Sequence, residues 1–216
     1  ANSGQNLGSA LTRVVGKGGE PLIRKGVDYA MRLLGKQFVT GQTIEEALKN
    51  GKEREKSGYR FSFDMLGEAA MTQADADRYY QDYVHAIHAI GKDAAGAGVY
   101  EGNGISVKLS AIHPRYARAQ HERVMAELLP RLKDLFLLAK QYDIGLNIDA
   151  EEANRLELSL DLMEALVSDP DLAGFNGIGF VVQAYQKRCP FVIDYLVDLA
   201  RRNKQKLMIR LVKGAY

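Results

Sequence analysis

Charged side chains recur where short apolar runs of this sequence end. Lys108, Asp149 and Arg210 each lie at or near the end of such a run. Burial of a charge is costly unless the charge is paired or has a function. Each of the three alone is equally well explained as a structural ion pair. Together, two cations and one carboxylate suit an anionic substrate or cofactor that also develops positive charge.

The run that contains Arg210 continues into small residues. Gly214 and Ala215 follow it closely, and small residues at a strand end let a flat ring or a phosphate approach the backbone. Gln183 has the chemistry to hydrogen-bond a polar ring edge, and Tyr185 to stack on one. For Gly214 and Ala215 the alternative is an ordinary turn between strand and helix. For Gln183 and Tyr185 it is a barrel rim that contains polar residues without a function.

Other catalytic patterns have little support in the sequence. His85 and His88 lie three residues apart in a predicted helix, but no Glu or Cys accompanies them at ligand spacing, so we predict a surface helix and no metal site. The signatures of serine hydrolases, P-loop nucleotidases and zincins do not occur. Cys189 precedes a proline, which favours a helix start over a nucleophile.

Five strand-like runs alternate with helical segments and would bring the polar residues together. The runs are 60–66, 104–109, 144–149, 177–183 and 207–212, and the helical segments are 74–95, 116–142, 154–168 and 190–203. This alternation predicts a parallel α/β architecture. A dinucleotide-binding sheet would carry a GxGxxG turn after its first strand, whereas this chain has Asp64-Met-Leu-Gly-Glu68. Polar residues at the strand ends favour a (βα)8 TIM-type barrel, here incomplete because closure would need about three more strands.

The amino-terminal part has a different pattern. We predict a helical segment over 1–56, with helices at 10–15 and 22–34, and the first part of the barrel over 57–216. Thr43 and Glu46 form a capping-box signature, and Gly51 is the predicted end of that helix. The chain begins without Met and ends directly after an apolar run, so we expect both ends to be edges within a longer polypeptide.

Composition restricts the partners and the location. The chain has 216 residues and a formal net charge of +2, so bulk charge gives no indication of nucleic acid binding. Its single cysteine fits a reducing compartment. No apolar run reaches the roughly 20 residues that span a bilayer, and no signal peptide begins the chain. We therefore expect a cytoplasmic protein, with room for peripheral contact with the inner membrane.

Long motifs at the strand ends resemble a known family. SVKLSAIHPRY (106–116), NIDAEEANRLELSLDL (147–162), GFVVQAYQKR (179–188) and LMIRLVKGAY (207–216) are similar to the proline dehydrogenase domains of bacterial bifunctional proline utilisation flavoproteins. FDMLGEAA (63–70) and the segment at 17–36 are similar too, so the resemblance spans essentially the whole chain. It implies a distorted (βα)8 barrel with non-covalently bound FAD.

The resemblance also implies an activity. Family members oxidise L-proline to 1-pyrroline-5-carboxylate by hydride transfer to flavin N5 and pass the electrons to membrane quinone, which is the first step of proline catabolism. Longer members carry an aldehyde dehydrogenase domain, and some carry a DNA-binding module. Neither module lies within these residues.

The family's roles transfer to matching positions of this sequence. Lys108 corresponds to the lysine that binds the substrate carboxylate, Asp149 to the active-site aspartate, and Arg210 to the arginine near flavin N5. Tyr216 corresponds to a tyrosine of the substrate pocket. The remaining flavin-contacting positions are Ala150, Val181, Gln183, Tyr185, Val212, Lys213, Gly214 and Ala215.

One part of the family pattern lies beyond the last residue. An arginine pair that clamps the proline carboxylate, and a stretch that binds the adenosine of FAD, have no counterpart in this sequence. The resemblance therefore does not imply that these 216 residues bind FAD or turn over substrate alone. Two other functions stay open: a Schiff-base aldolase or lyase that uses Lys108 or Lys213, and a non-catalytic barrel fragment that acts as a scaffold.

Overall fold

The computed structural model describes Arg24 and residues 39–215. The helix that we predict at 10–15 lies outside these residues, and so do Tyr216 and all of the helix predicted at 22–34 except Arg24. None of the helices in the described part of the chain is long and apolar enough to cross a lipid bilayer.

The chain divides into two compact units, 1–51 and 52–216. The second unit contains all five strands and every site residue discussed below. The boundary that we predict near Ser57 remains a prediction.

Helix α1, Ile44–Lys56, begins where the capping signature places it. Thr43 Oγ1 accepts a hydrogen bond from Glu46 N at 3.2 Å, and the Glu46 carboxylate accepts one from Gln42 N at 2.9 Å. The predicted end at Gly51 is wrong, since Gly51 is buried inside the helix. The charged residues that follow it are good helix formers, so the helix continues to Lys56.

Five parallel strands form a half-barrel in sequence order. They are β1 (Ser62–Asp64), β2 (Gly104–Val107), β3 (Leu146–Ile148), β4 (Ile178–Gln183) and β5 (Met208–Val212). Each strand pairs with the next one along the chain, giving the order β1-β2-β3-β4-β5. A doubly wound sheet would reverse direction at a switch point. The structure therefore confirms the parallel α/β prediction and the barrel-type order.

Helices connect the strands on the outside. They are α2 (Gln73–Ala94), α3 (Leu109–Ile112), α4 (His121–Tyr142), α5 (Leu156–Val167) and α6 (Cys189–Arg202). The helix predicted over 116–142 begins later than expected, because the chain before it is extended at Ala117. Tyr116 in this extended part is buried, and the Arg155 guanidinium lies 5.4 Å from the centre of its ring. The helix therefore begins only after this extended part, at His121.

Helix α4, which is as long as α2, supplies much of the core. On α4, Leu128, Leu132, Leu135 and Ala139 are fully buried, as the helical spacing predicts. The same spacing predicts Leu138 on this face, but Leu138 is only half-buried. The apolar face of α4 is thus buried in the core.

The inward-facing row of the half-barrel is polar. The strand register aligns Asp64 with Ser106, Ser106 with Asn147, and Asn147 with Gly179. A Cβ atom at Gly179 would lie 2.0 Å from Asn147 Oδ1. Gly179 therefore leaves the space that the Asn147 side chain occupies.

A capping box at the start of α2 gives a test of the fold. Thr72 Oγ1 accepts from Asp75 N at 3.1 Å, and Asp75 Oδ2 accepts from Thr72 N at 3.2 Å. Thr72→Ala should lower the free energy of unfolding by about 1 kcal/mol, because the cap acceptor is lost. Chemical unfolding measures the change. Thr72→Ser keeps the hydroxyl and is the control; equal losses in both variants would contradict the cap.

Candidate active site

The carboxyl ends of the strands meet at one edge of the half-barrel. Asp64 ends β1, Lys108 and Asp149 directly follow β2 and β3, and Gln183 ends β4. Arg210 lies within β5. Because parallel strands present these ends on one face, residues far apart in sequence become neighbours.

Four of these side chains form a row of alternating charge. Lys108 Nζ lies 2.5 Å from Asp64 Oδ1 and 3.1 Å from Asp149 Oδ2. The other oxygen of Asp149 accepts from Arg210 Nη2 at 2.9 Å. The structure thus brings together Lys108, Asp149 and Arg210, the three charges that the sequence selects, and adds Asp64.

Lys108 is held firmly in its charged form. Burial lowers its pKa, but hydrogen bonds and charges from Asp64 and Asp149 outweigh burial and raise the pKa well above its usual range. The backbone is fixed as well, since Lys108 N donates to the Tyr83 hydroxyl at 3.1 Å. Burial raises the pKa of Tyr83 to about 12, so this hydroxyl stays neutral.

Arg210 points into the half-barrel because side chains alternate along β5. Met208, Arg210 and Val212 are partly buried, whereas Ile209 and Leu211 are exposed. The Arg210 guanidinium therefore reaches the inward-facing polar row.

The Gln183 side chain ties two loops together. Its Nε2 donates to the Glu151 carbonyl oxygen at 2.9 Å, and its Oε1 accepts from Ala215 N at 3.0 Å. The chain approaches closely here because residue 214 is glycine with φ +88°. A Cβ atom at Gly214 would lie 2.5 Å from the Tyr185 ring and 2.7 Å from Gln183.

Hydrogen bonds to the Glu151 carboxylate hold the loop after β3 in place. Glu151 Oε1 accepts from Ser110 N, and Arg155 donates to Glu151 Oε2, both at 3.0 Å. Burial is the largest influence on Glu151 and raises the pKa of its carboxyl group. This buried contact holds the loop that carries Asp149 and Ala150.

An open cleft lies between these groups. Its lining combines the charges of Asp64, Lys108, Asp149 and Lys213 with the amide of Gln183. The other lining residues are small or apolar, namely Ala150, Val181, Val212, Gly214 and Ala215. Tyr185 is half-exposed at the rim. All predicted contact residues within the described part therefore lie in or beside one cleft, and their roles remain predictions.

The cleft suits a flat ring with polar edges. The backbone nitrogen of Ala215 and the amide of Gln183 lie beside Gly214, where a larger residue would not fit. Such a surface would fit the isoalloxazine of the FAD that the family resemblance implies, with cations at one side to balance negative charge. The residues present fit the cofactor that the family resemblance implies.

Two site residues, Ser62 and Ser106, were not predicted, and Asp64 was expected only as one of the polar residues at the strand ends. Like Lys108 and Asp149, Asp64 is a polar residue at a strand end. Its ion pair with Lys108 follows only from the strand register. Ser62 and Ser106 lie within strands and contact Arg210. A serine inside a strand has no distinctive sequence pattern.

The histidines do not form a metal site. Nδ1 of His88 lies 2.9 Å from the Tyr142 hydroxyl, and Nε2 of His113 lies 3.1 Å from a Glu127 oxygen. Within the described residues, no group of three His, Cys, Asp or Glu side chains could hold a metal ion.

Comparisons with known proteins agree with this geometry. The family model for proline dehydrogenase matches residues 47–216. The bifunctional protein PutA of Klebsiella aerogenes is 69% identical over 98% of this chain, which spans 16% of that protein. Proline dehydrogenase 1 of Bacillus subtilis is 32% identical over 87% of this chain and 54% of its own length.

A solved structure has the same fold. The crystal structure of a mutant of Bradyrhizobium japonicum proline utilization A superposes with a TM-score of 0.79 at 52% identity, covering 94% of this chain and 21% of that one. With the family match over residues 47–216, these findings place the chain in the proline dehydrogenase family.

Proposed function

We propose that this chain forms the flavin-facing and substrate-facing part of an FAD-dependent proline dehydrogenase. The enzyme would oxidise L-proline to 1-pyrroline-5-carboxylate, the first step of proline catabolism. The row of alternating charge, Asp64–Lys108–Asp149–Arg210, beside a floor of small residues carries this proposal. The family match supports it.

Lys108 would bind the carboxylate of proline. Its ammonium lines the cleft, and a charge-assisted hydrogen bond from it would fix the ring in place. Hydride transfer needs the reacting atoms close together and aligned, so an anchored carboxylate contributes directly to rate. Tyr216, outside the described residues, would line the same pocket.

Asp149 would orient the two cations. Both of its oxygens already accept contacts, one from Lys108 and one from Arg210. Taking the amine proton of proline would weaken both ion pairs. The geometry therefore favours orientation by Asp149 and transfer of the amine proton to water or another group.

Arg210 would stabilise negative charge that develops on the cofactor. Its guanidinium is held in place before reaction, so little reorganisation is needed. FAD, when bound, supplies the hydride acceptor. Ala150, Val181 and Gln183 would contact it from β4 and the loop after β3, and Tyr185 from the rim. The segment after Arg210 would complete the surface with Val212, Lys213, Gly214 and Ala215.

The partners of the reaction are part of the proposal. Quinone would accept the electrons, at a cytoplasmic enzyme in peripheral contact with the inner membrane. An aldehyde dehydrogenase domain and the remaining barrel strands would complete the polypeptide. The relative from Klebsiella aerogenes, described as bifunctional, supports the second domain.

The geometry argues against Lys108 as a Schiff-base lysine. A lysine nucleophile must be neutral, whereas two carboxylates keep Lys108 protonated. Borohydride trapping of a substrate adduct on Lys108 would revive this alternative.

Substitution of Arg210 tests the redox role. In the complete gene product, proline should bleach the visible absorbance of bound flavin, and Arg210→Met should slow this bleaching about 10²–10³-fold because a preorganised charge is lost. Stopped-flow absorbance measures the rate. Arg201→Met, at an exposed arginine of α6, is the control. Unchanged bleaching in Arg210→Met would refute the assigned role.

Substitution of Lys108 tests substrate binding. Lys108→Met should raise the dissociation constant for proline about 10–100-fold, since a charged hydrogen bond is removed. Titration of flavin reduction against proline concentration gives this constant. Lys206→Met changes an exposed lysine before β5 and should have no effect. Equal affinity in the Lys108 and Lys206 variants would contradict carboxylate binding by Lys108.

A further inference from the structure

The Arg210 guanidinium has partners on two sides. Nη2 donates to Asp149 Oδ1 at 2.9 Å, while Nη1 donates to Ser106 Oγ at 3.0 Å. A guanidinium is a rigid planar fork, so two contacts at different nitrogens fix its orientation as well as its position. A single ion pair with Asp149 would leave it free to rotate about that contact.

Ser106 is suited to be the second contact. It is fully buried in β2, and buried hydroxyl groups require a hydrogen-bond partner. An arginine can only donate, so the Ser106 oxygen accepts from it. The Ser106 and Ser62 hydroxyl groups also share a hydrogen bond at 3.1 Å, in which either can be the donor.

The polar row around Ser106 makes this contact possible. Ser62 lies 3.4 Å from Arg210 Nη1 and 3.5 Å from Asn147 Nδ2. Arg210 starts on β5, and its contact with Ser106 therefore crosses the interior to β2. The row has small or polar residues at Ser106, Asn147 and Gly179, so no bulky apolar side chain from these positions stands in the way.

We infer that Ser106 is a positioning residue that holds the Arg210 guanidinium in its working orientation. Ser106 does not line the cleft, but it contacts Arg210, which pairs with the cleft residue Asp149, so it acts through the arginine. The inference rests on the proposed function only in giving Arg210 a role in flavin reduction. The placement itself follows from the two contacts of the guanidinium.

Two variants of Ser106 in the complete gene product test the inference. Ser106→Ala removes the acceptor, and Ser106→Cys keeps the volume but provides only a weak acceptor. Both should slow proline-dependent flavin reduction about 10-fold, the effect expected for a hydrogen bond to a charged group. The dissociation constant for proline should stay unchanged, because Lys108 is untouched. Ser159→Ala removes a buried hydroxyl on α5 that donates to the Leu156 carbonyl and serves as the control.

Properties other than turnover separate positioning from a structural role. Without substrate, the midpoint potential of bound flavin should become more negative in Ser106→Ala, because the positive charge is less well placed. A crystal structure of this variant should show the guanidinium rotated or spread over several positions. Ser159→Ala should change neither property.

A double-mutant cycle gives the deciding comparison. Combined with Arg210→Met, Ser106→Ala should cause no further loss of rate, since its effect passes through the arginine. A tenfold loss that persists without Arg210 overturns the inference, and so does a wild-type rate in both Ser106 variants. If Arg210→Met alone leaves reduction unchanged, the proposed function fails instead. In that case the crystal structure still decides whether Ser106 orients the guanidinium.

Discussion

The site depends on one carboxylate placed between two cations. Asp149 accepts from Lys108 with one oxygen and from Arg210 with the other, so neither cation lies in the half-barrel without a counter-charge. Removing water from two like charges at a strand edge would be unfavourable without such pairing. The ion pairs therefore hold the two cations together at a place where they would otherwise repel each other.

The parallel strand order places the carboxylates next to Lys108. Consecutive strands lie side by side, so β2 has β1 on one flank and β3 on the other. Each flanking strand contributes an aspartate next to Lys108, namely Asp64 and Asp149. Three residues that are far apart in the sequence thus meet because the ends of three adjacent strands lie side by side.

Strand ends were predictable from the sequence, whereas strand interiors were not. Lys108 and Asp149 follow apolar runs, a pattern that places a polar side chain at the mouth of a barrel. Ser106 lies inside such a run, and its importance depends on how far Arg210 reaches across the interior. The prediction that Gly51 ends its helix is wrong. A glycine often ends a helix, but the residues after Gly51 continue this one.

Because side chains alternate along β5, the register of this strand decides which of them faces the site. Arg210 faces inward while its neighbours Ile209 and Leu211 face outward. A one-residue slip of a strand moves every side chain to the opposite face. A single insertion or deletion within Met208–Val212 would thus place isoleucine or leucine against Asp149 and turn the guanidinium outward. Evolution can exchange residues in this strand more readily than it can change their number.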